Sequence, residues 1–274
     1  MAEITNSCHQ KKTEIKMVKE NPILGIIGGG QLGSMLATAA KKINIKSVVL
    51  SDDPNAPAKN FCDEFVFSDY DKAKNIEEFA NKVDVVTFEF ENIPFKILEY
   101  ISKFKTVLPD PVINQIVQNR FTEKNFIKNI AEAFSELGIK TTKYALIKEK
   151  SDILKNKDLL PGLLKTCTLG YDGKGQFIIN NTEEVNRLKI DFDKEYILEK
   201  KIILKKEISI IITRFSNNEC LIFDPFENYH VNQILNRSVI PADITKDIFI
   251  KAQQQTKLIA EKLDYIGTMC VLFH

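Results

Sequence analysis

Ile23-Leu-Gly-Ile-Ile-Gly-Gly-Gly-Gln-Leu-Gly33 decides how the first part of this chain folds. Residues 23–27 read as a short buried strand, Gly28-Gly-Gly30 as a tight turn, and residues 31–43 as an amphipathic helix. That is the first half of a βαβ unit. A second strand over 46–50 ends at Ser51-Asp-Asp-Pro54, and a third covers Asp84-Val-Val-Thr-Phe-Glu-Phe-Glu91 after a helical stretch around 76–81. A helix over 94–102 and a strand over 106–108 continue the alternation, and Pro109-Asp-Pro111 closes it. Buried strands alternating with helices predict a parallel sheet covered on both faces.

The turn itself is ambiguous. Gly28-x-Gly30-x-x-Gly33 fits a dinucleotide fingerprint, with Asp52 at the end of the second strand where a ribose-binding acid belongs. This reading would make the chain a nicotinamide-dependent oxidoreductase. The turn offers only backbone N–H groups and the positive end of a helix, so any phosphorylated ligand suits it, and the glycines also suit close packing alone.

The 274 residues are 44% hydrophobic and 27% charged, as in ordinary globular proteins long enough for two cored domains. Lys+Arg 38 against Asp+Glu 37 leaves a net charge of +1, so no global excess steers the chain onto nucleic acid or an anionic membrane. Local groups must hold any anionic ligand. The arginines are Arg120, Arg187, Arg214 and Arg237, each suited to bidentate recognition, although Arg187 in a polar helical run reads as solvated. Cys8, Cys62, Cys167, Cys220 and Cys270 are scattered without metal-site spacing and read as reduced thiols. No apolar run approaches the ~20 residues of a membrane span. The opening segment lacks the apolar core of a signal peptide, so the expected compartment is cytoplasmic. Residues 1–21 read as a loosely ordered tail.

After Asn119 the pattern becomes α+β. A Lys-rich helix over 121–137 precedes strands near 143–147 and 162–166, and a Gly-rich hairpin spans 169–176. Strands over 195–200, 207–214 and 219–223 lie close enough to suggest one antiparallel sheet, followed by a helix over 243–263. No repeat or low-complexity linker separates the halves, so the boundary near 110–119 reads as a turn.

Lys165 stands at the end of an apolar strand, and Gly170-Tyr-Asp-Gly-Lys-Gly-Gln176 follows. Three glycines flanked by lysines suit a flap whose N–H and ammonium groups close over a polyphosphate. It is not a Walker A loop, since no Gly-Lys-Ser/Thr is present and the loop joins two strands. A tight hairpin turning at Asp172-Gly173 is the competing reading. Downstream, Glu199-Lys-Lys-Ile202 follows an apolar strand and Glu207 follows a polar break. A strand edge beside an apolar wall holds an adenine, and a carboxylate accepts ribose hydroxyls. Taken singly, these acids would be surface charges.

Gly28-Gly-Gly-Gln-Leu-Gly33, Thr87-Phe-Glu-Phe-Glu-Asn92, Arg120 with Lys124, Lys165 with the loop after it, Glu199, Glu207 and Glu227-Asn-Tyr-His230 together closely resemble the N5-carboxyaminoimidazole ribonucleotide synthetase family of ATP-grasp enzymes. The resemblance runs from residue 22 to about 271. It implies a mixed α/β and α+β chain: a Rossmann-like pre-ATP-grasp domain over 22–115, then an incomplete ATP-grasp domain over 116–274. It further implies a ligase of purine biosynthesis that uses ATP and Mg²⁺ to join bicarbonate to aminoimidazole ribonucleotide, and a homodimer.

By the same resemblance, Arg120 and Lys165 contact the ATP phosphates and supply the catalytic charge. Gly170, Tyr171, Asp172, Gly173, Lys174 and Gly175 form the closing flap; Glu199, Lys200, Lys201 and Ile202 the adenine hinge; Glu207 the ribose acceptor; and His230 belongs to the nucleotide site. Gly30, Gln31, Glu89, Glu91, Tyr171 and Asp172 face the ribonucleotide. Read without the resemblance, His230 is an exposed polar residue after a turn, and Glu89 and Glu91 merely end a strand.

Two positions depart from the family pattern. Leu169 stands where the flap normally has another glycine, which stiffens its hinge. Leu272 stands where a metal-binding Glu is expected, and leucine offers Mg²⁺ no oxygen. The resemblance also implies a C-terminal truncation, without the second metal-binding acid, an Arg-Pro-His-containing segment and a small final domain. His274 is no replacement, because imidazole is a weak partner for Mg²⁺, so no metal ligand is assigned. A nucleotide-binding but inactive chain stands beside the oxidoreductase as an alternative.

Overall fold

The structure, a computed structural model, describes residues 20–170, 175–231 and 234–274. The expected tail up to residue 19 and the flap residues Tyr171, Asp172, Gly173 and Lys174 lie outside them. The chain divides into two compact units between Glu89 and Phe90.

The first unit runs β1 (Ile23–Ile27), α1 (Gln31–Lys42), β2 (Lys46–Ser51), β3 (Glu64–Phe67), α2 (Ala73–Asn81) and β4 (Val85–Phe88). Its strands are parallel in the order β3-β2-β1-β4. Ile26 and Val49 pack with Ala37 of α1 and with Ala58 on one side of the sheet. The sequence reading missed β3, because none of its four residues is buried and a half-exposed edge strand lacks a continuous apolar run. In β1 the glycine serves packing: a Cβ at Gly25 would lie 2.8 Å from Phe79 Cζ and 3.0 Å from Val83 Cγ2. Phe79 is fully buried and has nowhere to retreat. Gly25→Ala should therefore cost about 1–3 kcal/mol through overpacking, read as a lower urea midpoint with an unchanged slope.

The second unit contains α3 (Phe95–Ser102), β5 (Thr106–Val107), α4 (Pro111–Val117) and α5 (Arg120–Ala133). Next come β6 (Tyr144–Ile147), α6 (Lys150–Lys155), β7 (Gly162–Thr166), β8 (Gln176–Ile179), α7 (Thr182–Arg187) and β9 (Tyr196–Lys200). The last elements are β10 (Glu207–Arg214), β11 (Cys220–Ile222), β12 (Phe226–Val231), β13 (Ile234–Val239), α8 (Lys246–Lys262) and β14 (Gly267–Phe273). The Pro109-Asp-Pro111 stretch opens a helix where the sequence suggested only a closing turn: Asp110 Oδ1 accepts from Val112 N at 2.9 Å, with Pro111 in the first turn.

The expectation of one antiparallel sheet for residues 195–223 is corrected to two. β9 is paired on both edges, by β6 and by β7, so it has no edge left for β10. One sheet has the order β6-β9-β7-β8; the other has β11-β10-β12-β13, with β14 also on β10. Ile147, Ile153, Leu164, Ile179 and Leu198 fill the core of the first. Ile208 and Ile210 pack with Ala252 of α8 in the second. Among the described residues no helix is long and apolar enough to cross a membrane.

Candidate functional site

The pairing of β7 with β9 places Lys165 beside Glu199, and its Nζ donates to Oε2 at 2.9 Å. Lys124, one turn beyond Arg120 on α5, brings its ammonium to 3.4 Å from Glu199 Oε1 and also donates to Thr141 Oγ1 at 3.1 Å. Glu199 is only 6% exposed, so burial pushes its carboxyl up; Lys165 and then Lys124 outweigh that and hold it below the ordinary value. Two ammoniums sharing one carboxylate leave a net positive charge, which suits an anion. Among the sequence candidates Lys124 had no assigned role; its i,i+4 spacing from Arg120 was the available signal.

Arg120 follows Asn119, whose Oδ1 caps α5 by accepting from Phe121 N at 2.9 Å. Its guanidinium spans the base of the Gly-rich loop: Nη1 donates to Thr166 O at 2.9 Å and Nη2 to Gly170 O at 2.8 Å. A Cβ at Gly170 would sit 2.8 Å from Nη1, so this glycine permits the approach. Gly175, at φ +72°, closes the other side of the loop, its carbonyl accepting from Thr166 N at 3.0 Å. Leu169 takes φ +57°, the left-handed region that favours glycine, and so carries roughly 1–2 kcal/mol of strain. Arg120→Lys should destabilise the chain by about 1–2 kcal/mol, because one ammonium does not reproduce a two-pronged fork. Thermal unfolding checks this; an unchanged midpoint would mean that the fork contributes nothing. Cys167, between these contacts, is buried, and burial pushes its thiol up to about 11, so it is no nucleophile.

At the expected adenine hinge, Lys200 N donates to Lys143 O at 2.8 Å, while its carbonyl accepts from Thr142 Oγ1 at 2.8 Å. Lys200 Nζ donates to Asp158 O and Leu160 O, and Lys201 N to Pro161 O. These contacts engage both lysines. Ile202 is exposed, and its backbone N–H has no partner among the described residues.

Glu207 and His230 come together through the pairing of β10 and β12, with His230 Nε2 3.7 Å from Glu207 Oε1. Asn228 Nδ2 donates to the same oxygen at 3.3 Å, and Ser238 Oγ donates to Asn228 Oδ1 at 2.7 Å. His274 Nδ1 lies 3.5 Å from Glu207 Oε2. The sequence reading missed Ser238 and quoted Asn228 in the Glu227–His230 motif without a role, since cross-strand register brings both in. Leu272, exposed, pairs with Ser209 across β14 and β10. Among the described residues no group of three His, Cys, Asp or Glu could hold a metal. Glu207 with Leu272 nearby offers too few oxygens, so these residues do not fit a protein-held Mg²⁺.

In the first unit, Glu89 Oε1 accepts from Gly30 N at 2.8 Å, and Oε2 accepts from Gly33 N. Gln31 begins α1 and is exposed. The Tyr70 hydroxyl is pushed up by burial and then by the charges of Asp52 and Glu89. Glu91, in the second unit, is exposed and accepts from Asn92 Nδ2 at 3.4 Å.

Two antiparallel sheets, one bearing Lys165 and Glu199 and the other Glu207 and His230, define an ATP-grasp protein. Residues 132–274 match the ATP-grasp domain family, and residues 22–118 match the ribonucleotide synthetase preATP-grasp domain. The chain is 36% identical over 259 residues to the N5-carboxyaminoimidazole ribonucleotide synthase of Staphylococcus aureus, covering 93% of this chain and 67% of that protein. It is also similar to the ADP-complexed synthetase structure from that organism, at TM-score 0.82, 36% identity, and 92% and 66% coverage. A structure from Aspergillus clavatus with ADP and 5-aminoimidazole ribonucleotide matches at TM-score 0.78 and 25% identity, covering 92% of this chain and 65% of that one. The chain thus spans about two thirds of the length of these relatives. It belongs to the N5-carboxyaminoimidazole ribonucleotide synthase family. These matches do not favour the oxidoreductase reading.

Proposed function

We propose that this chain carboxylates 5-aminoimidazole ribonucleotide with bicarbonate, using ATP, to N5-carboxyaminoimidazole ribonucleotide, ADP and phosphate, in the purine biosynthesis of the cytoplasm. Residues 22–115 are the pre-ATP-grasp domain in this reading and residues 116–274 the ATP-grasp domain. The observation that carries it is the pair of ammoniums, Lys165 and Lys124, converging on buried Glu199 beside the Gly-rich loop.

Bicarbonate is a poor electrophile. An oxygen of bicarbonate attacks the γ-phosphorus, the bond to ADP breaks, and carboxyphosphate forms. The exocyclic amine then bonds to the carboxyl carbon as phosphate leaves, and the nitrogen loses a proton. Charge builds on the transferring phosphoryl oxygens, so fixed cations and backbone N–H groups supply the stabilisation. Lys165 meets the triphosphate while Glu199 and Lys124 keep it aimed. Arg120 holds the loop base and adds positive charge there; Tyr171, Asp172, Gly173 and Lys174 belong to the flap that excludes water. Ile202 offers its backbone to adenine, and Glu207, with His230, accepts the ribose hydroxyls. Gly30, Gln31, Glu89 and Glu91 face the aminoimidazole ribonucleotide. No step is assigned to a protein-held metal, and a second copy of the chain is the expected partner.

The test is ADP release from the full chain with Mg-ATP. Release that requires both bicarbonate and aminoimidazole ribonucleotide is expected. Release indifferent to either, or stabilisation by NADH with none by Mg-ATP, would reject the reading.

A further inference from the structure

The Gly28–Gly33 turn has the geometry of a phosphate seat: glycines that let a ligand approach the backbone, and N–H groups at the start of the twelve-residue α1. In this chain that seat is filled from within. Glu89, from the end of β4, accepts from two of the N–H groups that a phosphate would use, those of Gly30 and Gly33. Gly28 N donates to Leu50 O at 2.8 Å.

The glycines fit the carboxylate as closely as they would fit a ligand. A Cβ at Gly28, whose φ is +102°, would collide with Glu89 Cγ. One at Gly30 would lie 2.9 Å from Glu89 Oε1, and one at Gly33 would lie 3.0 Å from Oε2. Gly28 and Gly30 are thus accounted for by an internal acid, while Gly33 is required first by the Gly28 carbonyl oxygen, 2.5 Å from its Cβ position. Asp52 and Glu89 both lie within electrostatic reach of the Tyr70 hydroxyl, so the charge of the fingerprint acid adds to that of Glu89. An incoming phosphate would have to displace the Glu89 carboxylate from Gly30 N and Gly33 N.

From this geometry we infer that Glu89 is a built-in anion that closes the Gly28–Gly33 turn to phosphates and dinucleotides, so that the first unit keeps the shape of a dinucleotide site without its affinity. Glu89 is a positioning residue in this role, setting the turn through Gly30 and Gly33. The inference holds whether or not the carboxylation reading does, since it concerns free phosphate and NADH at one turn.

The test follows the amide signals of Gly30 and Gly33 in the ¹⁵N-labelled full chain during titration with inorganic phosphate and with NADH, in the unchanged protein and in Glu89→Ala. The unchanged chain should show no saturable shift at either amide. In Glu89→Ala, phosphate should move both, with affinity gained by at least about tenfold as two charge-assisted hydrogen bonds become available. Equal response in the two proteins would overturn the inference, and so would silence in both, since the turn would then be no anion seat. If Glu89→Ala does not fold, Glu89→Gln replaces it: phosphate should again move both amides with higher affinity than in the unchanged chain, and an equal response would overturn the inference.

Discussion

Lys165→Ala is expected to weaken ATP binding by roughly 30- to 100-fold, a loss of about 2–3 kcal/mol, while Lys174→Ala weakens it by no more than about threefold. The sequence already ranks the two, since Lys165 ends an apolar strand and Lys174 lies within the Gly-rich loop. They differ in support. Lys165 lies on β7, held by Glu199 at 2.9 Å, so its ammonium is placed before the nucleotide arrives. A preplaced charge loses little freedom on binding. Lys174 stands between Gly173 and Gly175 in the sequence, and the expectation for it is a partly solvated position from which it meets the nucleotide. Titration calorimetry of the two variants checks the ratio; equal losses would show that Lys165 is not preorganised.

Glu199→Ala should be the most damaging single change to stability, costing about 3–5 kcal/mol, because it leaves two ammoniums beside one another without their shared partner. Removing Lys165 as well should recover part of that cost, since the two positions interact directly. The acid side of the stability profile gives an independent check. The folded carboxyl of Glu199 lies below its ordinary value of 4.5, so its contribution is fully present above that pH and is lost as pH falls through the folded value. The stability gap between the unchanged chain and Glu199→Gln should therefore narrow on acidification below about pH 4.5. A gap constant across that range would mean that the carboxylate is not held by its ammoniums.

The sequence was informative where one local signal sufficed. The β1-turn-α1 unit and the strands around Lys165 and Glu199 follow from apolar runs and glycines. It failed where pairing is non-local. Residues 195–200 and 207–214 are near neighbours in sequence, yet β9 is sandwiched between β6 and β7 while β10 starts another sheet. β13 is exposed along its whole length, so it carries no burial rhythm to detect. The Glu89 contact with Gly30 spans 59 residues, and nothing local distinguishes a glycine turn awaiting phosphate from one filled by a carboxylate. Arg120 was legible as a bidentate group, but its hold on Thr166 and Gly170 depends on where α5 meets the loop base. The family resemblance supplied roles that residue patterns alone left open, although it included Lys124 without assigning it one.

The claim on which the account rests is that the nucleotide is held in the second unit, with its phosphates on Lys165. A crystal structure of the chain with a non-hydrolysable ATP analogue tests this most directly. The account predicts Lys165 Nζ within hydrogen-bond distance of a phosphate oxygen, adenine against the backbone of Ile202, and Glu89 still seated on Gly30 and Gly33. Phosphates lodged in the Gly28–Gly33 turn, with Lys165 bonded to Glu199 alone, would contradict it.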